Sequence, residues 1–384
     1  MTPDENANMD ELNIIVDGKR SRLPDRIFLE HGPAAQQYLT YPTPKKGEDK
    51  RAEQDVVSLV AKCTCAEVET ALTWVKSALN GTDLVIDLML EDSTEFVAEC
   101  KNTGTLAARS YAICIGLGCV PIFVGITNRL RHVLLHGPLL LEAEMQGHLP
   151  TLADQWDPEH NPVGALMYDW VDEPNTTTST VDAMLLLFFH EIAHAVRGHF
   201  CVSRPVDVTP EAYRRALESD ADWCAGYMFM KYQLENLKQS GKLDQNSPDT
   251  LCSRLAVAAA SLNCALQVES NLESKAYHLP YNRNMDNLFG AAVVWHEFGL
   301  EASFDDRIND AIGQLIVVDK ILAHRLAQWV RYDDPRNEVD QQERRTSTET
   351  ITQAFHEEAL KWERGPVVGA RALRANFADA SQFE

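Results

Sequence analysis

The sequence predicts an α+β protein in which helices predominate and a small sheet or hairpin lies beside one central helix. Long segments bounded by capping residues and glycines predict helices through most of the 384 residues. One pair of β-rich segments, residues 111–115 and 120–126, is joined by a short turn that contains two glycines. The stretch 184–189 is apolar on every face, so the helix that contains it is expected to be central and buried.

The first hundred residues carry few strong signals apart from two helices. Asn13–Val16 predicts a short strand, and residues 41–47 have the composition of an exposed linker. Helices are predicted near residues 52–62 and 65–80. Thr64, followed three residues later by a glutamate, forms a capping box, which predicts that the second helix begins there.

The β-rich pair predicts a hairpin whose second strand lies at the edge of a sheet. Pro121 lacks the N–H that an internal strand would donate, which favours an edge position. An edge beside the central helix could pair with an extended peptide. The expected substrate-binding residues on this strand are Ile122, Phe123, Val124 and Gly125. The alternative is a hairpin that only packs against the core.

Helix signals recur from residue 179 to the C-terminal region. Ser179 or Thr180 is expected to cap the central helix, which ends near Gly198. Thr209 as N-cap, with proline at the first helical position, predicts a further helix that ends at Gly241. Other helices are predicted over residues 127–135, 251–268, 287–298, 305–332 and 343–364, with an irregular segment at 277–283.

Composition and charge exclude several classes of function. The net charge of −22 would repel a nucleic-acid backbone and an anionic membrane surface. The first twelve residues lack the apolar core of a signal peptide, and the most apolar run is too short to span a membrane. Nine cysteines without a spaced framework indicate reduced thiols and a cytoplasmic location. The chain is expected to divide into regions 1–100, 101–300 and 301–384, the middle one carrying the chemistry.

The segment His190-Glu191-Ile192-Ala193-His194 has the spacing of a zinc site on a helix. Residues four apart share a helical face, which sets the two imidazoles about 6 Å apart, within reach of one ion. Glu191 is rotated by about 100° from His190 and could touch a metal-bound water, which is the position of a general base. The alternative is a core helix whose histidines only hydrogen-bond to neighbouring side chains.

Catalytic zinc sites usually have three protein ligands, and Glu218 is the expected third. It lies 24 residues after His194, on the next predicted helix, and shares a helical face with Asp222. Asp222 is expected to hydrogen-bond a zinc-bound histidine without touching the metal. Asp220 is expected to face nearly the opposite way, and His199 to point away from the metal. The alternative for this segment is a solvated acidic face.

These residues resemble the gluzincin metallopeptidases. The motif at His190–His194, His199 after it, and Glu218-x-x-Ala221-Asp222 look most like the soluble phage-exclusion (Lit-type) peptidases, and more distantly like the HtpX and CAAX-protease types. The resemblance implies a zincin-like fold, a Zn²⁺ cofactor and a role in phage defence. In the membrane relatives, a downstream His-Pro segment and an arginine steady the transition state. Here His278 and Arg283 resemble that pair, with a leucine between histidine and proline.

Two hypotheses for the function follow from the sequence. The first is a soluble zinc endopeptidase that hydrolyses a cytosolic protein, in which zinc polarises the scissile carbonyl and Glu191 moves the proton of the attacking water. The second is a non-catalytic, zinc-stabilised binding or regulatory protein derived from a metallopeptidase. The intact Glu191 favours the first hypothesis, because a structural zinc site has no use for a base.

Overall fold

Helices predominate in the part of the chain that the computed structural model describes, and two small sheets complete an α+β structure. The predicted fold class is confirmed at that level. The structure describes residues 13–16, 19–22, 50–79, 84–91, 93, 96–104, 109–124, 126–127, 130, 173–201, 204–206, 208–244, 247–269, 277–298, 309, 312–313 and 334–346. The predicted linker at 41–47 and most of the predicted helix 305–332 lie outside these residues.

The first two strands and the first helix precede the main sheet. Strand β1 (Asn13–Val16), as predicted, pairs antiparallel with β2 (Lys19–Arg22). Helix α1 (Lys50–Ala78) runs without interruption, so the predicted helix start at Thr64 is wrong. Val60, Val68, Ala71 and Val75 form one buried stripe that continues on both sides of Thr64. Packing of this stripe therefore outweighs the local capping preference.

The main sheet has three strands in the order β3-β5-β4. Strand β5 (Ser110–Gly116) is central and pairs in parallel with β3 (Val85–Glu91) and antiparallel with β4 (Ala98–Asn102). The predicted strand at 111–115 is thereby confirmed. Among the described strands, β4 lies at one edge of this sheet, next to the central helix.

The predicted hairpin partner of β5 is wrong, because residues 119–124 are helical. Pro121 lies in the first turn of this helix, where a missing N–H costs nothing. Ile122, Phe123 and Val124 are completely buried and cannot offer a strand edge to a peptide. Gly125, the fourth residue of the expected substrate-binding set, lies outside the described residues.

Helix α2 (Glu173–Val196) is the central helix and starts six residues before the predicted cap at Ser179. Thr180 is buried in its second turn, with its hydroxyl 2.8 Å from that of Thr127. Every side chain from Ala183 to Phe189 is buried, as the sequence predicts. The stretch Thr177–Val196 is long and apolar enough to cross a membrane, but 89% of its most apolar window is buried inside the protein. A core helix meets the same criteria.

Three further helices complete the core: α3 and α4 pack against α2, and α5 packs against α3 and α4. Helix α3 (Pro210–Gln239) begins with the predicted cap, because the Thr209 hydroxyl accepts a hydrogen bond from the Ala212 N–H at 3.2 Å. Helix α4 (Ser247–Glu269) corresponds to the predicted helix 251–268, and α5 (Pro280–Glu297) to the predicted helix 287–298. One buried cluster of side chains joins α1, the three-stranded sheet and α2 to α5. The division into three regions stays a prediction.

Helices α3 and α5 approach each other through glycines. A Cβ atom on Gly226 would lie 1.9 Å from the carbonyl oxygen of Asn287. A Cβ atom on Gly290 would lie 1.8 Å from the carbonyl oxygen of Trp223. Any larger side chain at either position would push the two backbones apart.

A short helix over residues 336–346 docks on the N-terminal end of α5 through polar contacts. Asp340 accepts hydrogen bonds from the Leu279 N–H at 3.0 Å and from the Asn282 side chain at 2.5 Å. Arg344 pairs with the buried Asp286. The sequence predicts a helix from 343 to 364, and the described residues show that it starts seven residues earlier.

Candidate metal centre

Two consecutive long helices bring three ligand atoms together. His190 and His194 lie one turn apart on α2, and Glu218 lies in the third turn of α3. The two Nε2 atoms are 3.3 Å apart. Oε2 of Glu218 lies 3.0 Å from Nε2 of His190 and 3.8 Å from Nε2 of His194. His190 is buried, and the other two side chains are partly exposed.

The ligand spacing fits a small tetrahedral ion. Bonds of about 2.0–2.1 Å from a tetrahedral zinc ion to nitrogen or oxygen set neighbouring ligand atoms about 3.3 Å apart. The three separations between the ligand atoms are 3.0, 3.3 and 3.8 Å, which bracket that value. Two imidazole nitrogens and one carboxylate oxygen also form a donor set that suits zinc. These three side chains could therefore hold a metal, and they leave a position open for a water or a substrate.

Glu191 lies next to this cluster but is not part of it. Burial raises the pKa of its carboxyl, nearby His190 lowers it, and the balance is a pKa of about 7. The backbone N–H of Cys100, on the edge strand β4, also contacts this carboxylate and lowers its pKa. A carboxyl that titrates near neutral pH is suited to accept and release a proton.

Asp222 contacts His190 at the ring nitrogen that faces away from the ligand cluster. Its Oδ1 lies 2.8 Å from Nδ1 of His190, the hydrogen bond that the sequence predicts between this carboxylate and a histidine of the pair. The bond holds a proton on Nδ1, so that loss of the proton on Nε2 would leave that lone pair for an ion. Burial alone would raise the pKa of Asp222, but Arg283 and His190 lower it to about 2, so the carboxylate stays charged.

The structure places Arg283 behind Asp222. Its Nε and one terminal nitrogen donate to the Asp222 carboxylate at 2.6 and 2.8 Å, and the guanidinium stacks 4.6 Å from the ring centre of Tyr277. Arg283 is 2% exposed. The guanidinium is committed to Asp222, and the expected contact of Arg283 with a transition state stays a prediction. Its place makes it a positioning residue for His190.

His278 belongs to a different network. Its Nδ1 lies 2.8 Å from Oδ1 of Asp340, on the C-terminal helix, and it is buried. Among the described residues its hydrogen-bond partner is Asp340 rather than a member of the ligand cluster, and its expected catalytic role stays a prediction.

The structure also brings His199 to the site, although the sequence predicts that it points away from the metal, and His199 in turn contacts Asp220. Nδ1 of His199 lies 2.8 Å from Nδ1 of His194, and Nε2 of His199 lies 2.9 Å from Oδ2 of Asp220. The helical extrapolation fails because Gly198 has a φ of 74° and ends α2 before residue 199. Gly198 is the signal in the sequence from which this reversal could have been predicted.

No protein-family model, curated protein or solved structure matches this chain.

Proposed function

We propose that this protein is a zinc-dependent endopeptidase. The observation that carries the proposal is the cluster of His190, His194 and Glu218 with Glu191 beside it. Zinc held by these three ligands would act as a Lewis acid toward the scissile carbonyl and would lower the pKa of an attacking water to about 7. A purely structural metal site gains nothing from a buried carboxyl at its border.

Glu191 carries the proton in this proposal. Its carboxylate takes a proton from the attacking water and then gives it to the nitrogen of the leaving amine. A group that does both steps works best when its pKa lies near the working pH, and burial moves the pKa of Glu191 upward from its usual value toward neutral pH. Asp222 and Arg283 contribute by keeping His190 in the orientation and tautomer that a metal requires.

Strand β4 takes the place of the segment 121–126 as the proposed substrate-binding edge. The N–H of Gly116 donates to Val97, and the N–H of Thr103 donates to Ser110, which fixes the register with β5. Backbone groups alternate in direction along an antiparallel strand. Residues 98, 100 and 102 therefore direct their N–H and C=O groups away from β5. The N–H of Cys100 meets the Glu191 carboxylate, and none of the described strands pairs with this edge of β4. An extended peptide could add there as a further strand.

The test compares Glu191→Gln with the wild-type protein and with Glu338→Gln, a control that removes one exposed carboxylate from the C-terminal helix. Each protein is produced in the same cells, its zinc content is measured after purification, and new protein N-termini in the cells are identified by proteomics. We expect one zinc per chain in all three proteins. New termini should appear with wild type and Glu338→Gln only.

Two outcomes would contradict the proposal. If Glu191→Gln cleaves the same sites at the same rate, Glu191 is not the base. If the wild-type protein binds one zinc but produces no termini that Glu191→Gln lacks, the non-catalytic binding or regulatory protein becomes the better account. Four protein ligands on the zinc, measured by X-ray absorption, would support that second account.

A further inference from the structure

We propose that His199 and Asp220 form a hydrogen-bond relay that fixes the tautomer and the orientation of His194 as a metal ligand. This inference rests on the metal site of the proposed function, but not on the peptidase activity. It assigns a positioning role to two residues that do not belong to the ligand cluster.

The relay begins on helix α3 and ends at the metal-facing nitrogen of His194. Arg197 donates to both carboxylate oxygens of Asp220 at 2.8 Å, which fixes that carboxylate. Asp220 faces Nε2 of His199 at 2.9 Å. Nδ1 of His199 in turn faces Nδ1 of His194 at 2.8 Å. Nε2 of His194 remains directed into the ligand cluster.

The positions of the protons follow from this arrangement. A ligand nitrogen must present a lone pair, so the proton of neutral His194 is on Nδ1. That proton can only be donated to Nδ1 of His199, which must then be an acceptor. The proton of His199 is therefore on Nε2, where the Asp220 carboxylate accepts it. One pair of tautomers satisfies every contact at once.

The same contacts exclude His199 as a fourth ligand. Both of its ring nitrogens are occupied, one by His194 and the other by Asp220. His199 is also buried, so its ring is held in place by its surroundings. The two metal-facing histidines are then supported in parallel ways. An arginine-held aspartate contacts His190 directly, whereas the arginine-held Asp220 reaches His194 through His199.

A pair of isosteric substitutions separates this role from a merely structural one. In His199→Asn, the amide oxygen can occupy the position of Nδ1 and still accept from His194. In His199→Gln, the amide can occupy the position of Nε2 and reach Asp220, but the acceptor for His194 is lost. His199→Phe keeps the ring volume and removes both contacts. Zinc affinity is measured for each purified protein by competition with a chromophoric chelator, and the visible spectrum of the cobalt-substituted form is recorded.

We expect His199→Phe and His199→Gln to lose about 10–100-fold in zinc affinity, which is typical when the group that orients a metal-bound histidine is removed. His199→Asn should stay within a few-fold of wild type. The cobalt spectrum should change in the first two variants and be retained in the third. Thermal unfolding of the metal-free proteins shows whether each variant is folded.

The relay would be overturned if folded His199→Phe bound zinc as tightly as wild type, or if His199→Gln and His199→Asn lost affinity equally. Either result leaves the peptidase proposal standing, because zinc is still bound by its three ligands. Conversely, a wild-type protein that binds zinc but is inactive would contradict the proposed function. In that case, the zinc affinities of the three His199 variants would still show whether the relay orients His194.

Discussion

Charged side chains around the candidate metal centre are buried in opposite pairs, and this is what keeps them charged. Burial alone would raise the pKa of Glu218, but His194 and His190 lower it to about 2. Asp222 is 1% exposed and lies against Arg283. An isolated charge in such surroundings would cost several kcal/mol, whereas a paired and hydrogen-bonded one can be retained. The polar groups are therefore arranged before a metal arrives.

Replacement of Glu218 by alanine should abolish zinc binding. Two imidazoles would remain, and the remaining set would lack both a ligand and the negative charge that offsets the cation. We expect less than a tenth of an equivalent of zinc after dialysis, measured by atomic absorption, and no cleavage. Glu338→Ala is the matched control, because it also removes a glutamate but from an exposed helix. Full zinc occupancy in Glu218→Ala would show that the third ligand is a different residue.

Asp222→Ala and Asp220→Ala should weaken zinc binding to similar extents. From the sequence alone, Asp220→Ala is expected to have the smaller effect on zinc affinity, because Asp220 faces away from Asp222 on the helix. In the structure each aspartate orients one of the two histidines, Asp220 through His199. We expect a loss of about 10–100-fold in affinity for each, measured by chelator competition. If Asp220→Ala bound zinc with wild-type affinity, Asp222 would be the more important of the two aspartates, as the sequence predicts.

The sequence is sufficient to predict the candidate ligands, but not every residue that hydrogen-bonds to them. Glu218 and Asp222 are four apart, so helical geometry alone places both on one face, and the structure finds them there. His199 could not be placed in the same way, because the left-handed backbone of Gly198 ends the helical repeat. A helical projection is valid only as far as the helix extends.

At the scale of elements, two of the wrong predictions have one physical cause. Local signals indicate a helix start at Thr64 and a strand after Pro121, yet both segments are helical. In each case the side chains are buried among other elements, and tertiary packing decides the conformation. Thr209 and Pro210, by contrast, begin a helix at the surface, where capping has little competition, and the prediction is confirmed there.

Gly226→Ala should destabilise the protein and weaken the metal site together. The added methyl would meet the backbone of Asn287 and force α3 and α5 apart. Since α3 carries Glu218 and α5 carries the arginine behind Asp222, their separation would disturb the site. We expect a loss of about 2–4 kcal/mol in the free energy of unfolding, measured in urea, with weaker zinc binding.

Gly313→Ala is the control for that prediction, because no atom of the described residues lies within 4 Å of the added methyl group. It should change the free energy of unfolding by less than about 1 kcal/mol. An unchanged stability of Gly226→Ala would mean that the two helices can separate at no cost, and the close packing would have no structural importance.

Ala98→Pro should impair substrate binding if β4 is the substrate edge. Residue 98 directs its N–H away from β5, so a proline there leaves the sheet bonds intact and removes one donor from the free edge. We expect kcat/KM to fall about 2–10-fold, the loss of one hydrogen bond, on a peptide identified from the cleaved termini. Ala98→Val keeps the N–H and should retain activity. Equal activity of both variants would place the substrate elsewhere.

At the scale of the whole molecule, the side chains of the candidate metal centre project from helices that also form the core. Most described side chains of α2 are buried. Helices α3 and α4 pack on α2, and α5 packs on α3 and α4. The sequence predicts a buried central helix from its apolar residues. The mutual arrangement of the helices depends on contacts between residues far apart in the chain, such as Gly226 with Asn287, which no local pattern contains.

Removal of zinc should lower the thermal stability of the entire protein, because the ligands come from two helices that share one core. A ligand present at a thousand times its dissociation constant stabilises the folded state by about 4 kcal/mol. For a domain of 150–250 residues, each kcal/mol shifts Tm by about 2–4 °C, so we expect a shift of roughly 10 °C between zinc-loaded and chelator-treated protein.

Glu191→Gln should show the same shift, since Glu191 lies beside the ligand cluster and outside it. Glu218→Ala should melt at one temperature with or without the chelator. If chelation removed one equivalent of zinc from the wild-type protein and left Tm unchanged, the zinc would be bound outside the folded core, and His190, His194 and Glu218 would not be its ligands.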